Sequence, residues 1–210
     1  MKKIFTLILL STTFLSIQAQ VPSYVPTQNL IAWYPFTGNP NDVSGNSNNL
    51  TNSGAALTTD RYGNTNAAYN FNGSASLDNA SPSFAMGADT SFTVAFWVNP
   101  TVGATGGFPL WHGLTQNQGG NGKFIYFTSL INIDGTMTWG TNKQGQAWVW
   151  AKDSVTVGVW EHFALVYDNK VMKMYRNAVQ VATNTYSYTG TVTATMPFHL
   201  GRGSNTTNPS

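Results

Sequence analysis

Cysteine is absent from this 210-residue chain. Its absence excludes disulfide staples, a thiol nucleophile, thiolate metal ligands and lipid attachment through a cysteine, so the fold must rest on its core alone. Glutamate occurs once, at Glu161. A retaining glycosidase needs two carboxyl groups about 5 to 5.5 Å apart across the scissile bond. The acidic residues nearest to Glu161 in sequence are Asp153 and Asp168. Asp153 lies across an expected strand break and Asp168 is expected on the opposite face, so no catalytic pair is legible. The three histidines, His112, His162 and His199, sit in separate segments without the H-x-x-x-H or H-E-x-x-H spacing of zinc sites. Charge is scarce, at 9% of residues. That leaves no basic stripe for nucleic acid or for anionic membranes.

Long apolar runs are equally rare, and the one near the N-terminus reads as an address. Lys2 and Lys3 precede an apolar stretch from Ile4 to Ile17, and Gln18-Ala19-Gln20 offers a small residue for cleavage. The interruption at Ser11, Thr12 and Thr13 makes the run too short for a membrane span. Residues 1–19 are therefore expected to be a cleaved secretory signal, with no membrane span after cleavage; a retained anchor is the alternative. Of the 10 basic residues two belong to this leader, which leaves 8 against 8 acidic ones, a neutral chain. A chain of about 190 residues buries roughly 70% of its unfolded surface, enough for one domain without staples. The expected organisation is a leader at 1–19, a short extended lead at 20–29 and a single domain over 30–210.

What is abundant is glycine, asparagine, threonine, serine and aromatic residues, the composition of short strands and polar loops. The stretch from Trp160 to Ala182 reads as consecutive hairpins. Phe163, Leu165 and Tyr167 alternate with Trp160, His162, Ala164 and Val166, so both faces are apolar and a central strand with a layer over each face is expected. Asp168-Asn169 supplies the first turn, Val171 to Arg176 returns, and Asn177-Ala178 turns again into a strand from Val179. Elsewhere, strands are expected at Leu30 to Phe36, Ser91 to Pro100, Phe108 to Gly113, Lys123 to Ile133, Thr136 to Trp139, Gln146 to Ala151 and Thr195 to Gly201, with Phe92, Val94, Phe96 and Val98 on one face. Asp78 to Thr90 reads as a loop with one helical turn at Ser83 to Met86. So many short strands imply an all-β sandwich of two antiparallel sheets.

The hairpin residues Trp160, His162, Ala164, Tyr167, Asp168, Tyr175 and Asn177 fit a pattern close to W-x-H-V-A-x-x-Y-D-G followed by L-x-L-Y-x-N-G. The opening, LIAWYPFTGNPNDVSGNSNN, fits L-V-A-x-Y-P-F-x-G-N-x-x-D-x-S-G-N-x-N, and the match continues through Leu57 to Gly63, Ala68 to Gly73 and the SFT-x-x-FWV strand. In these motifs the chain resembles bacterial laminin-G-like jelly-roll domains of the concanavalin A-like lectin and glucanase group. The resemblance implies a jelly-roll β-sandwich and a place for His162 inside it. Two residues depart from the pattern, because Asn169 and Ala178 stand where glycine is preferred. Alanine at positive φ costs on the order of 1 kcal/mol, so a looser second turn is expected. Relatives also continue past the Gly201 strand into a terminal I-D-E-V strand, so a domain incomplete at its C-terminus is expected.

Two kinds of site are candidates. Trp111, Tyr126, Trp139, Trp148, Trp150 and Tyr175 have flat faces suited to sugar rings, although core packing accounts for tryptophans as well. The loop from Asn39 to Asn49 gathers Asn41, Asp42, Ser44 and Asn46. Calcium wants six to eight oxygens, and Gly45 lets oxygens on either side of it turn to one centre, so Asp42, Asn46 and carbonyls near Gly45 are the expected Ca²⁺ ligands. A plain Asx-turn loop is the alternative. The resemblance implies the same, since related domains often hold Ca²⁺ here with a second carboxylate from the terminal strand. The function expected from all this is a secreted, non-catalytic recognition module of a bacterium, extracellular or at the cell surface, whose partner is a glycan or an extracellular protein. The alternatives are a glycosidase-related domain and a purely structural domain of a larger surface protein.

Overall fold

The computed structural model describes residues 20–80, 84, 91–100, 107–112, 125–131, 136–143, 149–185 and 198–201, with side chains for all except 107–112, 125–131, 136, 140–143 and 149–150. The expected signal at 1–19, the turn at Asp134-Gly135, most of the helical turn at 83–86, and Trp148 lie outside the described residues. Among the described residues there is no helix, and so none that could cross a membrane.

The strands form two antiparallel sheets and a small hairpin. The large sheet contains Thr51–Ser53 (β1), Ser76–Asn79 (β4), Gly107–His112 (β6), Ile125–Ile131 (β7), Thr136–Lys143 (β8), Val149–Ser154 (β9) and Phe198–Leu200 (β13), in the spatial order β1-β4-β13-β6-β7-β8-β9. The small sheet contains Phe92–Val98 (β5), Glu161–Asp168 (β10), Val171–Arg176 (β11) and Val179–Thr185 (β12), ordered β12-β11-β10-β5. Among the described residues, Ala56–Thr58 (β2) and Ala68–Asn70 (β3) pair only with each other. The all-β sandwich is as expected. Jumps such as β4 to β13 are set by distant pairing.

Period-two alternation explains what each sheet buries. In β10, Phe163, Leu165 and Tyr167 are fully buried, and Met172 and Met174 of β11 join them. From the large sheet come Leu77, Met137 and Trp139, also fully buried. Phe92 stacks on Tyr167 with ring centroids 5.5 Å apart and meets Trp139 edge-on at 6.1 Å. Burying side chains of this size contributes about 1.5–3 kcal/mol each, which holds the two layers together without disulfides. The expected face of Phe92, Val94, Phe96 and Val98 packs on this core.

Several expectations are corrected. Among the described residues no second sheet covers the outer face of β10: His162, Ala164 and Val166 are half-buried there, and His162 is on the outer side of the small sheet. Both hairpin turns have positive φ at their two central residues, Asn169 (44°) with Lys170 (69°) and Asn177 (48°) with Ala178 (69°). The first turn is thus one residue later than expected. The second is not loosened by its alanine, because the flanking ladders impose the twist that suits this turn. Residues 30–36 form no strand. Their backbone groups bond instead to the following loop, with Ile31 O accepting from Asn48 Nδ2 at 3.0 Å and Trp33 N–H donating to Asp42 at 2.9 Å. The lead at 20–29 makes two turns, closed by Val25 N–H on Pro22 O and Leu30 N–H on Thr27 O. Asp78 is in β4, inside the large sheet, and not in a loop.

Candidate functional site

Strand register sorts the aromatic candidates. Trp139 pairs with Ser129 and Ala151, a set that faces the core. It is fully buried, so it is a core residue and cannot offer a face to a ligand. Adjacent register positions belong to the opposite face. Across that face runs one lateral row: Asp78 beside His199, His199 beside Trp111, Trp111 beside Thr128, Thr128 beside Gly140, and Gly140 beside Trp150. Tyr126, opposite Asn142, is two residues along β7 on the same face. Trp111, Tyr126 and Trp150 therefore share one surface of the large sheet. Tyr175 is elsewhere, opposite Ala164 on the outer face of the small sheet.

At one end of the row is a polar relay. His199 Nδ1 lies 2.6 Å from Asp78 Oδ1, and Ser76 Oγ donates to Asp78 Oδ2 at 2.8 Å. Since the carboxylate only accepts, Nδ1 carries the ring proton. The serine hydroxyl points to the aspartate and not to the imidazole, so this is not the arrangement that activates a serine nucleophile. It fixes a histidine in one orientation beside the Trp111 position.

Glu161 is committed elsewhere. It is 2% exposed and lies 2.8 Å from Arg176 Nη2, while Arg176 Nη1 reaches Asp153 at 3.2 Å. The other carboxylate oxygen of Glu161 accepts from Thr156 N–H. Asp153, read as separated by a strand break, is thus brought to Glu161 by the guanidinium between them.

The loop named for calcium is organised by its aspartate. Asp42 Oδ1 accepts from Trp33 N–H (2.9 Å) and Ser44 N–H (2.8 Å), and Oδ2 accepts from Ser44 Oγ (2.9 Å) and Asn48 N–H (3.0 Å). Burial pushes its pKa up, but these donors outweigh burial and hold it below the ordinary carboxylate value. Burial and the nearby Asp42 charge raise the Tyr34 phenol, which donates to Asn48 O at 2.6 Å. Asn46 turns its amide nitrogen to Leu30 O and Ile31 O. Gly45 has φ 96°, the curl expected of it. With four donors on its two oxygens, Asp42 is occupied as an Asx-type hub, while Asn46 anchors the loop through its amide nitrogen. Among the described residues no group of three or more His, Cys, Asp or Glu could hold a metal ion.

Three residues of the small sheet's outer face were missed. Trp97 is 43% exposed, and Arg61 stacks against it from the loop between β2 and β3, with the Tyr62 ring also against the guanidinium. The signal was present: if Phe92, Val94, Phe96 and Val98 face inward, Trp97 faces outward.

Comparison with known proteins places this geometry. No curated protein matches the chain. Among solved structures, domain 4 of AbnA, an extracellular GH43 arabinanase from Geobacillus stearothermophilus solved with arabinotriose, is similar with a TM-score of 0.65 at 19% identity, over 82% of this chain and 83% of that one. The binding domains of botulinum neurotoxin serotypes C1 and D give TM-scores of 0.59 and 0.57 at 12% identity, over 86% and 77% of this chain. The chain spans only 44% and 40% of those two domains. These likenesses are of fold. A laminin G family model, described as the concanavalin A-like lectin/glucanases superfamily, matches residues 70–210, and the chain belongs to that family.

Proposed function

We propose that this chain is an exported, non-catalytic carbohydrate-binding module, extracellular or at the surface of a bacterium, that holds a glycan across the outer face of its large sheet. The observation that carries the reading is the lateral row His199, Trp111, Thr128, Gly140, Trp150. Two tryptophan positions with a threonine and a glycine between them provide the apolar surface that recognition of a sugar requires, and His199, buried and held by Asp78, closes one end of the row. The arabinotriose complex of AbnA domain 4 supports a carbohydrate as the ligand class. A binding role is favoured over hydrolysis because the one glutamate is buried in an ion pair. Binding in this reading is independent of calcium, since hydrogen bonds close the Asp42 loop. The test is affinity electrophoresis of the chain through gels containing arabinan, xylan, β-glucan or galactan. At least one neutral polysaccharide is expected to retard it, and Trp111→Ala and Trp150→Ala should each remove the retardation. A chain that migrates freely through all four, or variants retarded as strongly as the parent, would overturn the reading.

A further inference from the structure

The small sheet's outer face carries a second cluster, unconnected with the row on the large sheet. The Arg61 guanidinium carbon lies 3.9 Å from the centroid of the Tyr62 ring and 4.1 Å from that of Trp97. On its other side Trp97 neighbours the His162 imidazole, with centroids 5.3 Å apart. Tyr62 is 70% exposed. With rings against its faces, a guanidinium still presents its N–H donors in its own plane. Among the described residues no hydrogen bond or ion pair engages these donors.

Asp60, next to Arg61 and close enough to feel its charge, makes its hydrogen bonds within the loop and not to the guanidinium. Asp60 Oδ1 accepts from Tyr62 N–H (2.8 Å) and Asn64 N–H (2.9 Å), and Oδ2 accepts from Asn64 Nδ2 (3.0 Å). These bonds hold the loop closed, and Ala67 N–H on Thr58 O secures its far end. Arg61 and Tyr62 are therefore presented from a preformed turn, which lowers the ordering cost of binding. Beside Trp97 and His162 the next register row is Ala95, Ala164 and Tyr175. Two alanines form a shallow floor between Trp97 and Tyr175, which strand spacing separates by roughly 12 Å on the diagonal. That length suits a short oligosaccharide.

We propose that this face is a second glycan site, selective for an acidic sugar whose anionic group docks on the Arg61 fork while its ring packs on Tyr62 or Trp97. A planar fork matches a carboxylate or sulfate bidentately, and aromatic rings match the apolar face of a pyranose. A neutral sugar would leave the guanidinium without its acceptor.

The experiment is calorimetric titration of the whole chain with three oligosaccharides: oligogalacturonate, the same oligomer with its carboxyl groups reduced to alcohols, and a sulfated galactan oligomer. At least one acidic ligand is expected to bind tenfold or more tightly than the neutral one, with affinity falling as salt is added. Preference for the first or the third identifies carboxylate or sulfate as the recognised group. Arg61→Gln should abolish the preference and Arg61→Lys should restore it only in part, since lysine keeps the charge without the planar fork. Trp111→Ala removes the site proposed on the large sheet, so titration of that variant reads this face alone: the acidic oligomer should still bind and the neutral one should not, and the two sites fail separately. Equal binding of acidic and neutral oligomers, no binding of either acidic oligomer at millimolar concentration, or a preference that survives Arg61→Gln would overturn the proposal. Arg61 would then be a clasp that fastens the β2–β3 loop to the sheet, seen as a lowered melting temperature of Arg61→Gln alone.

Discussion

Arg176 lies 2.8 Å from Glu161, the single glutamate of the chain, and in doing so ties two sheets together. Arg176 and Glu161 belong to neighbouring strands of the small sheet, while Asp153, Ser154 and Thr156, which the same guanidinium also reaches, lie in and just after β9 of the large one. Removing one partner of a buried pair leaves an uncompensated charge, at a cost of about 3–5 kcal/mol when fully buried. Arg176 keeps 24% of its side-chain exposure, so Glu161→Ala is expected to cost somewhat less, about 2–4 kcal/mol. Urea unfolding of Glu161→Ala, Arg176→Ala and the double variant should show strong non-additivity; additive losses would mean that the pair is not coupled.

At Ala178 a small gain is available. With φ at 69°, the residue occupies a conformation that glycine adopts without its Cβ penalty. Ala178→Gly should therefore stabilise the chain by about 0.5–1 kcal/mol, less what glycine adds to the entropy of the unfolded state. A shift of the urea midpoint to lower concentration would contradict this.

Asp42 should behave as a structural acid. Its folded pKa lies below the unfolded value, so its contribution is present above the unfolded pKa, near 4, and is lost as pH falls through the folded value. Asp42→Ala strips the acceptor from four donors and is expected to cost about 2–4 kcal/mol at pH 7, with a smaller difference from the parent near pH 2. Melting temperatures in calcium and in chelator should coincide for the parent. A rise in calcium that Asp42→Ala removes would restore the metal to this loop.

For Trp139, stability and binding should separate. Trp139→Ala in a fully buried position is expected to cost about 3–5 kcal/mol through the cavity it leaves. Trp139→Phe should retain most of the stability and all of the glycan affinity. Loss of affinity in a stably folded Trp139→Phe would show that the residue acts on the ligand.

Local pattern alone determined much of this protein. Alternation in Phe163, Leu165 and Tyr167 announced β10, the inward set from Phe92 to Val98 announced β5, and turn residues announced the hairpins, because a strand's period of two is written in consecutive residues. What tertiary structure alone decided is which strands become neighbours. Whether Trp139 is core or surface depends on its pairing with Ala151, and the row from His199 to Trp150 exists only because β13 inserts between β4 and β6. An oxygen-rich loop such as that around Asp42 looks the same in sequence whether its partner is a cation or a set of backbone amides. Only the folded path of residues 30–48 brings those amides to it. Arg61 and Trp97, 36 residues apart, meet because a hairpin loop folds against the neighbouring sheet, a long-range contact for which no local period leaves a trace.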